Sequence, residues 1–176
     1  FSIPYDKEKV REFILKYSVQ DLLEQVAEER NLDAKELNQV RSQSLAEKNV
    51  QVVLMLGARE VLAWADEAGI LQFVYTHKGD NAFTILRDLG LESFFTEILT
   101  SQSGFSRKPS PEAATYLIDK YELDSRNTYY IGDRILDVEF AQNSGIQSIN
   151  FLESSYEGNQ RIQALADIPY IFEDEQ

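Results

Sequence analysis

Residues 129–145 read YYIGDRILDVEFAQNSG, and they contain the clearest change of pattern in the chain. An apolar run typical of a buried strand stops at Gly132, and Asp133 follows it directly. A helical pattern then begins, and Asp137 repeats the carboxylate about one helical turn later. A strand, a carboxylate and a helix in this order indicate a parallel α/β sheet with polar side chains at the carboxyl end of the strand.

Alternating strand and helix patterns continue on both sides of this stretch, from about residue 51 to the end of the chain. Strands are predicted at 70–76, 95–101, 127–133 and 146–152. Helices are predicted at 57–68, 81–90, 110–121, 135–145 and 159–168. Because single helices separate the strands, the connections are parallel crossovers, and we predict a doubly wound, mainly parallel α/β sheet for residues 51–176.

Residues 1–50 differ from the rest, because they contain no strand-like run. Apolar side chains recur there at spacings of three and four residues, which is typical of amphipathic helices. Three such patterns follow one another, at 6–17, 18–30 and 33–49. We therefore predict a small helical bundle over residues 1–50, separate from the α/β core.

The chain has 176 residues, a formal net charge of −13 and no cysteine. A strongly acidic chain is a poor partner for nucleic acid, whose phosphates attract clusters of lysine and arginine. No apolar run is long enough to span a membrane and no leader pattern is visible, so we expect no membrane partner and a cytoplasmic location. The absence of cysteine excludes disulfides and thiolate metal sites.

Polar side chains follow three of the predicted strands. Thr76 and His77 follow the first strand, Lys108 lies in the loop after the second, and Asp133 and Asp137 follow the third. The carboxyl ends of parallel strands meet at one edge of the sheet, so a hydroxyl, an ammonium group and two carboxylates converge there. Carboxylates bind Mg²⁺, while lysine and hydroxyl groups bind phosphoryl oxygens, so the pattern predicts a magnesium and phosphate site.

Each of these residues also has a plain structural interpretation when it is taken alone. A threonine at a strand end and a lysine beside a proline are common, and Asp133 could simply cap the helix that follows. His77, the only histidine, is as compatible with an exposed or packed loop side chain as with substrate contact. The order and context of the whole set, rather than any one member, favour a phosphate site.

Thr76 after a strand, Lys108 within RKPSPE and the segment IGDRILD resemble the second, third and fourth motifs of the haloacid dehalogenase-like hydrolases. The resemblance extends over about residues 52–152 and is greatest to the phosphoglycolate phosphatase-like and β-phosphoglucomutase-like members. It implies a Rossmann-like core. Residues 1–50 would then be part of the helical cap that this family inserts between its first and second motifs.

The resemblance also implies a role for each site residue. Thr76 would bind the phosphoryl group, and Lys108 would stabilise its charge during transfer. Asp133 would ligate Mg²⁺, and Asp137 would support the metal directly or through water. His77 stands where the family often has asparagine, and it would contact the substrate through its backbone or ring.

One motif of the family is missing from this chain. The first motif, Asp-x-Asp at the end of the first strand, supplies the nucleophile and the general acid/base, and the chain contains no Asp-x-Asp. The chain also begins with Phe1, so we expect an N-terminally truncated form that has no phosphatase turnover by itself. In this family the first strand lies between those that end at Thr76 and Asp133, so its loss leaves two apolar strand edges unpaired and lowers stability.

For the intact protein we therefore expect a Mg²⁺-dependent phosphatase of small phosphorylated metabolites that forms an aspartyl-phosphate intermediate. A sugar-phosphate mutase of the same family is one alternative, because it would share every residue of the site. A non-enzymatic module that binds phosphate or metal without a nucleophile is another. The cap normally selects the substrate, and only part of it is present, so the substrate stays open at this point.

Overall fold

The computed structural model describes residues 5–17, 19–47, 52–151 and 159–173. The chain divides into two compact units, residues 1–51 and residues 52–176. Among the described residues, the regular structure of the first unit is entirely helical, and the second unit contains both helices and strands.

The first unit is built from helices, and aspartates cap the starts of two of them. Its helices are α1 (Lys7–Lys16), α2 (Val19–Arg30) and α3 (Ala34–Glu47). Asp6 and Asp33 each accept a hydrogen bond from the backbone N–H two residues further on, at 2.9 and 2.7 Å. These N–H groups have no partner inside the helix, so the caps stabilise α1 and α3. Ala27 and Leu37 are buried where α2 and α3 pack. The three predicted helices are confirmed over the described residues, and positions 18, 48 and 49 of the predicted ranges lie outside them.

The second unit alternates strands with helices. Its strands are β1 (Phe73–Tyr75), β2 (Glu97–Leu99), β3 (Tyr129–Gly132), β4 (Gln147–Asn150) and β5 (Asn159–Arg161). Its helices are α4 (Ala58–Glu67), α5 (Asn81–Asp88), α6 (Glu112–Tyr121), α7 (Ile135–Asn143) and α8 (Ile168–Glu173). The four predicted strands are confirmed, each shorter than its apolar run. Every helix in the described part of the chain is too short or too polar to span a lipid bilayer.

All strand pairs are parallel, and they form two separate pieces of sheet. β1 pairs with β2, so that Val74 lies opposite Ile98. β3, β4 and β5 pair in that order, and Ile131 lies opposite Ile149. A helix connects β1 to β2 and another connects β3 to β4, so these parallel pairs are joined by crossover connections, which confirms the α/β class predicted from the sequence.

Two groups of buried apolar side chains hold the helices against these strands. One group contains Leu99 of β2 and Phe140 of α7. The other contains Val61 of α4, Ile149 of β4 and Ile168 of α8. Burial of large apolar side chains on both pieces of sheet stabilises the unit and fixes the strand ends that carry the predicted site.

A gap separates the two pieces of sheet. In the part of the chain that the structure describes, β1 has β2 as its one strand partner and β3 has β4, so each of the two strands has one unpaired edge. A cavity of about 810 Å³ lies between them, with Phe73 of β1 and Ile131 of β3 among its lining residues. The Tyr130 hydroxyl crosses the gap and donates to the Tyr75 carbonyl oxygen at 3.1 Å. These are the two apolar strand edges that the family resemblance predicts to be unpaired.

The prediction of a helix at 159–168 is wrong. Asn159–Arg161 instead forms β5 beside β4, and α8 begins only at Ile168. The Ser148 hydroxyl of β4 donates to the Asn159 side chain at 2.8 Å, and Ile162 is buried with its N–H bonded to a β4 carbonyl oxygen. Pairing with β4 outweighs the local helical pattern, because strand formation depends on neighbours that are distant in the sequence.

Candidate active site

The ammonium group of Lys108 lies in a buried polar cluster. Its Nζ donates to Asp137 Oδ1 at 2.6 Å and to the Tyr130 hydroxyl at 2.7 Å. It also lies over the Tyr130 ring, 5.0 Å from the ring centre. Only 12% of the Lys108 side chain and 5% of the Asp137 side chain are exposed. Because water hardly screens this ion pair, the pair holds the ammonium group in one position.

The Asp137 carboxylate also caps the turn that joins β3 to α7. Its Oδ2 accepts hydrogen bonds from the backbone N–H groups of Asp133 (3.2 Å) and Arg134 (3.1 Å). Gly132 permits this approach, because a Cβ at that position would lie 2.6 Å from Oδ2. One carboxylate therefore orients Lys108 and starts α7 at the same time, which explains the spacing of Gly132 and Asp137 in the sequence.

Thr76 and Asp133 lie directly beyond the carboxyl ends of β1 and β3. The Thr76 hydroxyl accepts a hydrogen bond from the backbone N–H of Lys78 at 3.1 Å, which leaves its own proton for donation to a ligand. Asp133 is exposed. The ends of β1 and β3 thus offer a hydroxyl donor and a carboxylate acceptor.

His77 contacts the loop that carries Lys108. The backbone N–H of Lys108 donates to His77 Nε2 at 3.0 Å. Burial lowers the pKa of His77 from 6.5 to about 4, and the positive charges of Lys108, Arg107 and Arg134 act in the same direction. The imidazole is therefore neutral near pH 7 and accepts the hydrogen bond at Nε2.

Tyr130 also belongs to the cluster, although the sequence motifs do not include it. Its hydroxyl accepts from Lys108 Nζ and donates to the Tyr75 carbonyl oxygen. Burial raises its pKa, and the negative charges of Asp137 and Asp133 raise it further, so the phenol keeps its proton. Tyr130 looks like an ordinary strand residue in the sequence. Its position three residues before Asp133 was the available signal.

In the structure Lys108 contacts both Asp137, through its ammonium group, and His77, through its backbone N–H. Thr76 and Asp133 adjoin this cluster as the chain neighbours of His77 and of the turn capped by Asp137. The five residues predicted from three strand ends are therefore linked through one set of contacts. Their roles in phosphate binding, catalysis and metal binding stay predictions.

Residues 1–151 match the sequence profile of the haloacid dehalogenase-like hydrolases. Because the match covers most of the 176 residues, the chain belongs to this family. The family predicted from Thr76, Lys108 and the IGDRILD segment is confirmed.

Individual relatives include proteins described as phosphoglycolate phosphatases. One from Pseudomonas syringae pv. tomato is 25% identical over 122 residues, which are 69% of this chain and 43% of the relative. The chain spans less than half the length of the curated relatives it matches.

Two solved structures extend the likeness to the fold. The core domain of a predicted phosphoglycolate phosphatase from Streptococcus pneumoniae is 85% identical, with a TM-score of 0.64 over 68% of this chain and 87% of that chain. A predicted phosphoglycolate phosphatase from Lactobacillus plantarum is 17% identical, with a TM-score of 0.76 over 97% of this chain and 84% of that chain. The second likeness concerns the fold alone.

Proposed function

We propose that this chain is part of a Mg²⁺-dependent phosphatase that hydrolyses small phosphorylated metabolites in the cytoplasm. The observation that carries the proposal is the buried contact of Lys108 Nζ with Asp137 and Tyr130. A fixed cation at the carboxyl edge of parallel strands suits an anionic ligand, in a chain whose net charge of −13 would otherwise repel it. Because the curated relatives are described as phosphoglycolate phosphatases, phosphoglycolate is the first substrate to test.

Lys108 and Thr76 would bind the phosphoryl group. The Lys108 ammonium has three N–H donors, and Asp137 and Tyr130 accept two of them. The third N–H would donate to one phosphoryl oxygen, and the Thr76 hydroxyl would donate to another. Because Lys108 is already held in place, it would stabilise developing charge without first reorganising.

Asp133 would hold the Mg²⁺ ion. Among the described residues no three metal-ligating side chains form a cluster. Mg²⁺ needs no such cluster, since it takes one or two carboxylates and completes its shell with water and phosphate oxygens. The exposed carboxylate of Asp133 fits that donor set, and the bound ion would neutralise charge on the phosphate. Both Asp137 oxygens accept hydrogen bonds from the protein, so Asp137 would support the ion by fixing the turn that carries Asp133.

The attacking carboxylate would come from an additional strand in the gap between β1 and β3. Within the described residues neither strand has a strand partner on the side that faces the apolar cavity of about 810 Å³, and a parallel strand placed there would pair on both sides. Its carboxyl end would emerge beside Thr76 and Asp133. A carboxylate at that end would attack the phosphorus atom, form an aspartyl-phosphate and release the alcohol, and water would then release the phosphate. Without that strand we expect no turnover.

The test compares the chain of residues 1–176 with the full-length protein that its gene encodes. Sequencing the coding DNA upstream of the Phe1 codon should reveal in-frame codons for an apolar, strand-like segment that ends in Asp-x-Asp. Phosphate release from phosphoglycolate and other small phosphate esters is then measured with Mg²⁺ and with a chelator. We expect Mg²⁺-dependent hydrolysis by the full-length protein and none by residues 1–176.

A second experiment compares substitutions of two lysines that each pair with a carboxylate: Lys108 is the test and Lys120 is the matched control. In the full-length protein, Lys108→Ala should lower kcat by roughly 100-fold or more, because it removes a preorganised charge. Lys120→Ala removes the Lys120–Glu97 ion pair instead, at 2.9 Å, and should leave kcat nearly unchanged. Equal effects of the two substitutions, hydrolysis in the presence of the chelator, or turnover by residues 1–176 would contradict the proposal.

A further inference from the structure

We propose that His77 is a positioning residue: its imidazole holds the backbone of the Lys108 loop as a neutral hydrogen-bond acceptor. The inference rests on the proposed function, because positioning matters only if Lys108 binds the phosphoryl group. It replaces the direct substrate contact that the family resemblance implies for His77.

Two side chains at the end of β1 hold the loop at two points. The Tyr75 hydroxyl donates to the carbonyl oxygen of Ser106 at 2.9 Å, and the backbone N–H of Lys108 donates to His77 Nε2 at 3.0 Å. The Tyr75 and His77 rings pack edge to face, with 5.8 Å between their centres. The segment from Ser106 to Lys108 is therefore tied to β1 through its main chain on both sides.

The side chain of Lys108 is held from a different part of the unit. Asp137 and Tyr130 bind its Nζ, and both belong to the β3–α7 region. His77 thus fixes where the Lys108 side chain begins, and Asp137 and Tyr130 fix where it ends. If the contact with His77 is lost, the main chain is free to shift and the third N–H of the ammonium group no longer points to one place.

The hydrogen bond requires one charge state of the imidazole, because only an unprotonated Nε2 accepts. The groups that face the ring are Lys108, Arg107 and Arg134, which disfavour its protonation, and Asp137, which favours it. Burial together with these cations lowers the pKa of His77 to about 4. The ring therefore stays neutral near pH 7, with its proton on Nδ1.

Nuclear magnetic resonance tests the contact directly in the chain of residues 1–176. His77 is the only histidine, so its imidazole signals need no further assignment. At pH 7 we expect the tautomer with the proton on Nδ1, and a scalar coupling across the hydrogen bond between the Lys108 amide nitrogen and His77 Nε2. The ring should titrate near pH 4 rather than near 6.5. A proton on Nε2 at pH 7, or the absence of that coupling, would overturn the proposal.

Substitutions test the role in the full-length protein. His77→Gln keeps an acceptor at the end of a side chain of similar reach, whereas His77→Leu has none. We expect His77→Leu to lower kcat by roughly 10- to 100-fold with a smaller change in KM, because a misplaced catalytic group slows the chemical step. His77→Gln should restore most of that loss. Equal losses of kcat in two variants with wild-type melting temperatures would overturn the positioning role.

The two proposals fail in different ways. A full-length protein without phosphatase activity, but with the expected tautomer and coupling, would overturn the proposed function and confirm the contact. An active phosphatase whose His77 carries its proton on Nε2 would overturn the role of His77 and leave the proposed function in place.

Discussion

Lys108 and Asp137 carry opposite charges in a place that water hardly reaches. The free energy of such a pair depends on both members being present, because each alone would be a buried charge without compensation. The intact pair therefore adds little net stability, but removing one member costs much free energy, and this cost keeps both side chains in place. The backbone hydrogen bonds to Asp137 Oδ2 add to this constraint, since they tie the carboxylate to the start of α7.

Asp137→Asn should lower the free energy of unfolding by about 3 kcal/mol, because it leaves the Lys108 ammonium buried without a counter-charge. Urea unfolding followed by circular dichroism measures the change. Glu92→Gln is the control, since it breaks the ion pair between Glu92 and Arg87. The Glu92 side chain is 39% exposed and the Arg87 side chain is 67% exposed. An exposed pair contributes little, so the control should change stability by under about 1 kcal/mol. Similar small losses of unfolding free energy in both variants would mean that the Lys108–Asp137 pair is not shielded from water.

At the scale of elements, the junction of β3 and α7 has the strictest geometry in the described site. β3 ends at Gly132 and α7 begins at Ile135, so the turn between them is only two residues long. The Asp137 side chain folds back across Gly132 to reach the turn, and no room is left for a Cβ. The glycine is required by this close approach of a side chain rather than by an unusual backbone conformation.

Gly132→Ala should therefore destabilise the protein by about 2 kcal/mol, which is typical of an added methyl group in a packed position. The new Cβ would lie 2.6 Å from Asp137 Oδ2 and push the carboxylate away from both the turn and Lys108. Gly79→Ala is the control, because its Cβ would meet Gln102 at an ordinary 3.6 Å. Thermal and urea unfolding of the two variants should differ clearly. A tolerated alanine at 132 would show that the Asp137 cap is dispensable.

At the scale of the whole molecule, the gap between the two pieces of sheet is the main structural liability. Free edges of apolar strands are templates for pairing with another chain, so they promote association. Ile131 of β3 is 44% exposed and lines the cavity in this gap. We expect residues 1–176 to unfold at a modest temperature and to associate as the concentration rises. A cooperative, high-melting and monomeric chain would contradict this expectation.

Ile131→Lys should reduce that association, because a lysine at a strand edge opposes edge-to-edge pairing. Static light scattering across a concentration series measures the effect. Ile135→Lys is the matched control, since Ile135 is similarly exposed at 39% but lies on α7, outside the cavity lining. Both variants carry the same added charge. Equal reductions would mean that net charge, rather than the free edge of β3, governs the association.

Local sequence patterns predicted most of the fold correctly. The helices of the first unit and the strands β1 to β4 each carry their signal within a few residues, as apolar periodicity, an aspartate cap or a closing glycine. The exception, β5, has a helical pattern and is a strand only because β4 offers it backbone partners. Local sequence patterns do not show which distant segments will pair, and β5 was therefore predicted as a helix.

The sequence alone was enough to predict the family and the α/β class, because motifs are arrangements of neighbours along the chain, and it proposed Thr76, Lys108 and Asp133 as site residues. The hydrogen bond of His77 to the Lys108 backbone, and those of the Asp137 oxygens to Lys108 and to the β3–α7 turn, are visible only in the folded structure. Lys108 is 31 residues from His77 and 29 from Asp137. Contacts over such separations follow from where the strand ends are packed, which no local pattern specifies.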